Sequence, residues 1–308
     1  MRALKDDPTM RAFADEIGES GSVSIVGRGT TGPHGTGRVV RAPSGIMEVR
    51  ADEMTIRCRA GTPLAEVKAA LAAVGQRVAL PSGDGTVGGA LARGRSDVHR
   101  LGRGPVRDTL LGAVWVDHRG CLVAGGGPTV KNVSGFDLPR LMVGALGTLG
   151  VLAEVVLRTN PLPRAEGWFR RPCRDRSALV AIQLASYRPS SLLWDGSDVW
   201  LHAEGHPDDL AVLAEQWATV PGPPEIPTGV RNSLDPHLAV TCVESNETDD
   251  RRVVEVGVGV VHSTRPLGPP FVPPTLDQRV VDLCRRVKET FDPDDRFNPG
   301  VDVLQFAK

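Results

Sequence analysis

A glycine-rich loop directly after a β-prone run constrains the fold of this chain more than any other feature. The run spans 22–26, and the loop reads Gly27-Arg28-Gly29-Thr30-Thr31-Gly32. Glycine lets the backbone turn sharply and point several N–H groups into one concavity, which binds phosphate oxygens, and the threonine hydroxyls add donors. The loop is not G-x-G-x-x-G in register and no Lys-Ser/Thr follows it, so an ordinary glycine turn remains an alternative.

A second glycine-rich stretch lies between two apolar segments and reads Pro81-Ser82-Gly83-Asp84-Gly85-Thr86-Val87-Gly88-Gly89-Ala90. The paired glycines stand at the start of a predicted helix. They would let a ligand approach the helix N-terminus, whose dipole favours anions. A flexible surface loop is the alternative interpretation, but the apolar flanks favour a ligand loop.

Short strands and helices alternate through the first half of the chain. Thr62 is the expected N-cap of a helix that begins at Pro63 and ends at Gly75. Asp117-His118-Arg119-Gly120 is expected to close a hairpin. Apolar and β-branched runs predict strands at 38–42, 54–59, 110–116, 121–124 and 151–157, and a helix at 136–146.

A domain boundary is predicted at Asn160-Pro161-Leu162-Pro163, where two prolines interrupt the pattern. The predicted domains are therefore 1–160 and 161–308. In the second domain the patterns predict helices at 177–186, 208–217 and 276–291, and strands at 199–203, 238–243 and 253–261.

Composition excludes several classes of protein. The chain has 36 basic and 37 acidic residues, and this balance argues against binding to nucleic acid. Its 5 cysteines are odd in number and lack a C-x-x-C pair, so no disulfide framework, iron–sulfur cluster or other metal site is predicted. No secretory or membrane-spanning segment is expected. These features indicate a cytoplasmic protein, with docking at the inner face of the membrane through partner subunits left open.

The order of motifs carries a family resemblance. The pyrophosphate-type loop and the Thr86-x-Gly88-Gly89 loop are followed by Arg107-Asp108-x-x-Leu111-Gly112, then by Lys131-Asn132-Val133-x-Gly135-x-Asp137-Leu138-x-Arg140-Leu141 and Gly147-x-Leu149-Gly150-Val151-Leu152. This series resembles the PCMH-type FAD-binding domain of the vanillyl-alcohol oxidase superfamily. Residues 130–157 look most like the FAD-binding E subunits of bacterial glycolate oxidases, and the tail Phe297-Asn298-Pro299-Gly300 also resembles the family.

The resemblance implies an α+β fold: a two-subdomain PCMH-type FAD-binding domain with a small C-terminal α+β cap, whose tail returns to the flavin. Many relatives attach the flavin to a histidine in the first loop. Thr30 takes that place here and His34 looks like an ordinary loop residue, so FAD is expected to bind without a covalent bond. The residues implied in cofactor binding are Gly27, Arg28, Gly29, Thr30, Thr31, Gly32, Pro81, Gly85, Thr86, Gly88, Gly89, Gly147, Gly150, Val151 and Asn298.

The implied function is that of a flavoprotein oxidoreductase. The resemblance points to the FAD-binding subunit of a glycolate-oxidase-like 2-hydroxyacid dehydrogenase, with hydride transfer to FAD N5. A D-type flavoprotein and an iron–sulfur protein are the expected partner subunits. The H-x-G-D-G-N-like element of catalytic D-type relatives is absent from the sequence. A non-catalytic FAD-binding subunit for assembly or electron relay, and a stand-alone oxidase of another alcohol, therefore remain alternatives.

Two further features have open interpretations. His262, at the end of a predicted strand, is an isolated candidate for substrate or proton contact, although a surface or hydrogen-bonded histidine is the simpler interpretation. The arginines and His99 between 93 and 107 could bind a phosphate or carboxylate. A solvated or partner-facing loop is favoured for most of them, with Arg107 expected to form a structural ion pair with Asp108.

Overall fold

The computed structural model describes residues 7–30, 35–127, 137–186, 188–244, 250–271 and 276–306. The chain forms two compact units. The first contains Met1–Asp97, Pro105–Leu162 and Leu276–Ala307, and the second contains Val98–Gly104 and Pro163–Thr275. The chain passes from the first unit to the second at 162, and neither unit is continuous in sequence, so the domains 1–160 and 161–308 stay a prediction.

Helices and strands alternate along the described chain, and the α+β fold class is confirmed. The helices are α1 (Pro8–Ile17), α2 (Leu64–Ala72), α3 (Val87–Arg93), α4 (Arg100–Arg103), α5 (Leu138–Met142), α6 (Arg176–Ala185), α7 (Pro207–Gln216), α8 (Pro236–Glu244), α9 (Gln278–Phe291) and α10 (Val303–Phe306). The strands are β1 (Val23–Ile25), β2 (Arg38–Val40), β3 (Ile46–Arg50), β4 (Thr55–Arg59), β5 (Gln76–Arg77), β6 (Leu110–Val116), β7 (Leu122–Gly126), β8 (Val151–Arg158), β9 (Asn160–Pro161), β10 (Ala165–Pro172), β11 (Ser191–Trp194), β12 (Asp198–Gly205), β13 (Ala218–Val220), β14 (Val230–Ser233), β15 (Arg252–Glu255) and β16 (Val260–Ser263). No helix in these ranges is both long and apolar enough to cross a bilayer.

The first unit is built on an antiparallel sheet of order β3-β4-β8-β6-β7. The central strand β8 is β-branched and almost entirely buried, as expected for a strand covered on both faces. Leu71 of α2 and Leu91 of α3 pack with Val155 on one side of the sheet. Met10 and Phe13 of α1 pack with Val114 in a second cluster. Burying these apolar side chains supplies the main stabilisation of the unit.

The small parallel sheet β1-β2 extends this unit, with Val23 opposite Arg38. The C-terminal tail completes it, because Val23 forms a parallel bridge with Phe297. Phe297 is fully buried, so the tail is an integral part of the core. This docking explains why 276–307 belongs to the first unit.

The second unit is an antiparallel sheet of order β13-β10-β12-β11-β15-β16-β14. Helices α6, α7 and α8 pack in one core cluster with the sheet residues Leu192, Trp194 and Leu201. Another cluster contains Trp168 and Trp200. Trp200 and Leu201 are consecutive residues of β12 but belong to different clusters, because successive side chains of a strand point to opposite faces of the sheet.

The structure corrects three local predictions. Residues 238–243 form part of α8 instead of a strand, and the Asp235 side chain accepts from His237 N–H at 2.9 Å, a helix-start signal that the β-branched composition concealed. The predicted strand 253–261 is the hairpin β15-β16, which turns at Gly257 and Gly259 with φ of 78° and 83°. Thr62 does not cap α2, because its hydroxyl oxygen accepts from the Gly45 N–H at 2.9 Å and Pro63 takes the N-cap position.

Candidate functional site

The predicted ligand loops of the first unit meet around a cavity of about 380 Å³. Every lining residue belongs to that unit. The lining consists of Ile25, Val26, Gly27, Arg28, Arg41, Ala42, Ala60, Gly61, Thr86, Gly88, Gly89, Ala92, Met142, Ala145, Leu146, Gly147, Gly150, Leu152 and Asn298.

The predicted cofactor residues divide into three groups by position. Those in the cavity wall are Gly27, Arg28, Thr86, Gly88, Gly89, Gly147, Gly150 and Asn298. Those that do not line it are Gly29, Thr30, Pro81, Gly85 and Val151. Thr31 and Gly32, like His34, lie outside the described residues. The roles assigned to all of them in binding remain predictions.

The first glycine loop presents backbone donors at the cavity. Among the described residues, no acceptor is present for the N–H groups of the stretch 27–30. Gly29 has φ of 68°, a conformation that favours glycine, and a Cβ atom at Gly27 would lie 2.7 Å from Thr86 Oγ1. The loop therefore has the close packing and the unused donors of an anion-binding nest.

The second loop packs differently from the prediction of an open helix N-terminus. The Gly88 N–H donates to the Ala60 carbonyl at 2.7 Å, and the Val87 N–H donates to Thr62 at 2.9 Å. Thr86 caps α3 by accepting from the Gly89 N–H at 3.1 Å. A Cβ atom at Gly88 would lie 2.9 Å from Ala60. The paired glycines thus bring the start of α3 against the loop that follows β4. The first N–H groups of α3 already have hydrogen-bond acceptors within the protein.

Asn298 connects three parts of the cavity wall. Its side-chain oxygen accepts from the Ile25 N–H at 2.6 Å, and its side-chain nitrogen donates to the Leu146 carbonyl at 2.7 Å. Its own N–H donates to Val23 at 2.9 Å. A Cβ atom at Gly147 would lie 2.9 Å from the Asn298 nitrogen, so glycine is required for this approach. The tail therefore fixes the distance between the two opposite loops.

The charges at the cavity have one sign. Arg28 and Arg41 bring two guanidinium groups, and no carboxylate is found among the lining residues within the described ranges. Guanidinium groups recognise phosphate oxygens through paired donors. The remaining wall is mainly apolar, with Met142, Leu146 and Leu152. Cationic and apolar parts together fit a ligand that has a flat ring system and an anionic linker.

Sequence reasoning missed part of this wall. Arg41 follows β2 directly and Gly61 follows the Ala60 contact with α3, but neither belongs to a glycine motif. A Cβ atom at Gly61 would lie 2.1 Å from the Ala42 carbonyl, so glycine is needed there for packing. Gly61 carries a readable signal, a glycine between a strand and a helix, whereas Arg41 becomes a wall residue only through the pairing of β2 with β1.

His262 and the candidate residues of the basic stretch are not among the residues that line the cavity. His262 belongs to the second unit, and its Nε2 lies 2.8 Å from Oε1 of the buried Glu255. This contact agrees with the interpretation of His262 as a hydrogen-bonded histidine. Arg107 and Asp108 approach to 3.8 Å, but both are well exposed and the pair contributes little to stability. His99 and Arg103 contact residues of β12 in the second unit.

Comparison with known proteins identifies the domain that holds the cavity. Residues 19–126 match the family model described as FAD binding domain. The chain is 36% identical over 193 residues to "Glycolate oxidase subunit GlcE" of Escherichia coli (strain K12), which covers 60% of this chain and 54% of that protein. It is 34% identical over 122 residues to "D-lactate dehydrogenase" of Archaeoglobus fulgidus, covering 38% of this chain and 27% of that protein. The chain thus spans about half the GlcE relative and less of the other.

A solved structure agrees on the fold. An alkyldihydroxyacetonephosphate synthase matches with a TM-score of 0.64 at 15% identity, over 94% of this chain and 72% of that chain. At this identity the likeness concerns the fold alone. The match of residues 19–126 to the FAD binding domain model identifies a PCMH-type FAD-binding domain there, with FAD as its cofactor.

The cavity wall fits FAD on independent structural grounds. The glycines at 27 and 147 allow the wall to pack closely against Thr86 and Asn298, and the donors of the first glycine loop lack acceptors among the described residues. Arg28 and Arg41 are the charged residues of the lining, and positive charge favours binding of a pyrophosphate. No histidine lies among the described lining residues.

Proposed function

We propose, from the premise that this chain carries an FAD-binding domain, that it is the FAD-binding subunit of a glycolate-oxidase-like dehydrogenase of small 2-hydroxy acids. The observation that carries the proposal is the wall of glycine backbone, two guanidinium groups and apolar side chains around one cavity. The 36% identity to a protein named as a glycolate oxidase subunit supports the choice of substrate class.

The residues of this chain divide the task of binding. The N–H groups of Gly27 and Arg28 and the guanidinium groups of Arg28 and Arg41 would hold the pyrophosphate. Met142, Leu146 and Leu152 would contact the ring systems. Asn298 would keep the two sides of the wall at a fixed distance. FAD held by these residues would supply the two-electron redox chemistry for oxidation of the 2-hydroxy acid.

The proposed chain works with partner subunits. Its cysteines lack the close spacing that iron–sulfur ligands need, so electrons would leave the flavin for a partner protein or a diffusible acceptor. The proteins named glycolate oxidase subunits GlcE and GlcD among the relatives favour a D-type flavoprotein as one partner. An iron–sulfur protein is the second partner that we propose.

A second candidate function has its own observation. Among the described lining residues there is no histidine, aspartate, glutamate, lysine or tyrosine that could take a proton from a substrate hydroxyl. His262 pairs with Glu255 in the second unit. This composition favours a chain that binds FAD for assembly or electron relay, while a partner subunit oxidises the substrate.

Anaerobic reduction of the purified flavoprotein separates these functions. We expect glycolate or D-lactate to bleach the flavin absorption of the chain alone if it oxidises the substrate. Dithionite serves as the positive control. Bleaching only after addition of the D-type partner would support the relay function, and bleaching by neither arrangement would overturn the proposed substrate class.

A further inference from the structure

A cluster of metal-ligand side chains lies in the second unit, and none of its residues lines the cavity. It consists of His99, His202 and Glu204, and we call it the histidine cluster. One ligand atom from each residue lies within 4.8 Å of the other two. His202 and Glu204 are two residues apart on β12, so they project from the same face of the strand. His99 immediately precedes α4, in the short segment 98–104 that also belongs to this unit.

The two imidazole rings are held in place by their surroundings. The ring centroids of His99 and His202 are 4.6 Å apart, and the Trp168 ring lies 5.6 Å and 4.9 Å from them. The Ser190 hydroxyl contacts the Nδ1 atoms of both histidines. A hydroxyl has one proton, so Ser190 donates to one ring and accepts from the other. The rings therefore have fixed positions before any ligand arrives.

The carboxylate of the cluster is positioned by an arginine. Arg103 donates to Glu204 Oε1 from Nε at 2.8 Å and from a terminal nitrogen at 2.7 Å, and it also reaches Glu166 at 3.3 Å. Carboxylates that bind metals are commonly oriented by such hydrogen bonds from outside the ligand set.

We propose that the histidine cluster binds a divalent transition metal of the Zn²⁺ class, which links the segment 98–104 to strand β12. Two imidazoles and one carboxylate form a ligand set that suits Zn²⁺, with water or the Ser190 hydroxyl in the fourth position. Tetrahedral Zn²⁺ places its ligand atoms about 3.3 Å apart. The ligand atoms of the histidine cluster lie within 4.8 Å of one another, so side-chain rotation would have to bring them closer by at most about 1.5 Å. The site is independent of the FAD-binding function.

Isothermal titration of the chelator-treated full-length chain tests the site with Zn²⁺ alone. We expect one equivalent to bind with a dissociation constant below about 10 μM, and His202→Gln or Glu204→Gln to weaken binding more than ~10-fold. The matched control is His206→Gln, an exposed histidine of the same unit, which should leave affinity unchanged. Equal affinity in wild type and His202→Gln, or loss of binding in His206→Gln, would overturn the proposal.

A second measurement does not depend on the folding of the histidine variants. Bound Co²⁺ should quench the fluorescence of Trp168, which contacts both rings. Trp168→Phe should lose this quenching while still binding one Co²⁺, and Trp217→Phe, in the same unit, should retain it. Quenching that survives in Trp168→Phe and disappears in Trp217→Phe would place the metal elsewhere and refute the assignment.

Discussion

The side-chain oxygen of Asn298 accepts a hydrogen bond from the Ile25 N–H at 2.6 Å, across 273 residues of sequence. Through this bond a residue near the end of the chain becomes part of the wall that begins with the first glycine loop. Asn298 has φ of 47°, a left-handed conformation that asparagine adopts more readily than most residues. The backbone geometry and the two side-chain hydrogen bonds together select asparagine here.

Substitution of Asn298 should weaken FAD binding. Asn298→Leu removes both side-chain hydrogen bonds and releases the Leu146 loop, so we expect the dissociation constant of FAD to rise at least ~10-fold, equivalent to about 1.4 kcal/mol. Flavin fluorescence titration measures the change. Asp294→Asn, at an exposed position of the same tail, is the control. Unchanged affinity in Asn298→Leu would remove the tail from the site.

The tail should also stabilise the first unit through Arg296. This side chain is 3% exposed and donates to the carbonyls of Ile17, Gly18, Ser20, Gly21 and His118. Arg296→Ala leaves several of these acceptors without a partner. We therefore expect a loss of about 3 kcal/mol in the free energy of unfolding by urea. The exposed Arg285→Ala should change it by less than about 0.5 kcal/mol, and equal losses would contradict this account.

The fit of the first glycine loop can be tested at Gly27. Gly27→Ala would place a Cβ atom 2.7 Å from Thr86 Oγ1, so the α3 cap must shift and the loop must move. We expect FAD affinity to fall at least ~10-fold. Gly127→Ala is the matched control in the same unit, because a Cβ atom there meets nothing within 4 Å. Similar FAD affinities in the two variants would show that the loop does not contact the cofactor.

The mode of cofactor attachment remains a prediction from the first glycine loop. Thr30 stands where covalent relatives have histidine, and threonine cannot form the histidyl bond to flavin. We expect acid precipitation of the purified protein to release all of its flavin into the supernatant, as measured by absorbance. Flavin that stays with the denatured pellet would contradict this expectation.

Sequence reasoning could predict the elements that local chemistry determines. Glycine loops, the hairpin at Asp117 to Gly120 and the strand β8 all carry their signal within a few residues. It could not predict contacts made by tertiary packing. Arg41 lines the cavity because β2 pairs with β1, and His99 meets His202 because 98–104 joins the second unit. Helix α8 was missed because Val240, Thr241 and Val243 favour strands, whereas burial of one side of the segment determines its conformation.

The second unit should lose stability in mild acid because of His202. Its pKa is lowered to about 4 in the folded state against 6.5 when unfolded, so the unfolded chain binds more protons between these values. The contribution of this residue is complete above pH 6.5 and is lost as the pH falls toward 4. With about 1.4 kcal/mol for each pKa unit, the loss is at most about 3.5 kcal/mol. The neighbouring His99, Glu166, Glu204 and Arg103 also face this ring.

Urea unfolding followed by tryptophan fluorescence between pH 7.5 and 4.5 measures this effect. The comparison is the difference between wild type and His202→Gln, which has no titrating group at that position and retains a polar side chain. We expect the wild-type midpoint to approach or fall below that of the variant as the pH decreases, and exposed His206→Gln to follow the wild type throughout. Parallel pH dependence in wild type and His202→Gln would mean that the buried imidazole already takes up a proton without cost in the folded unit.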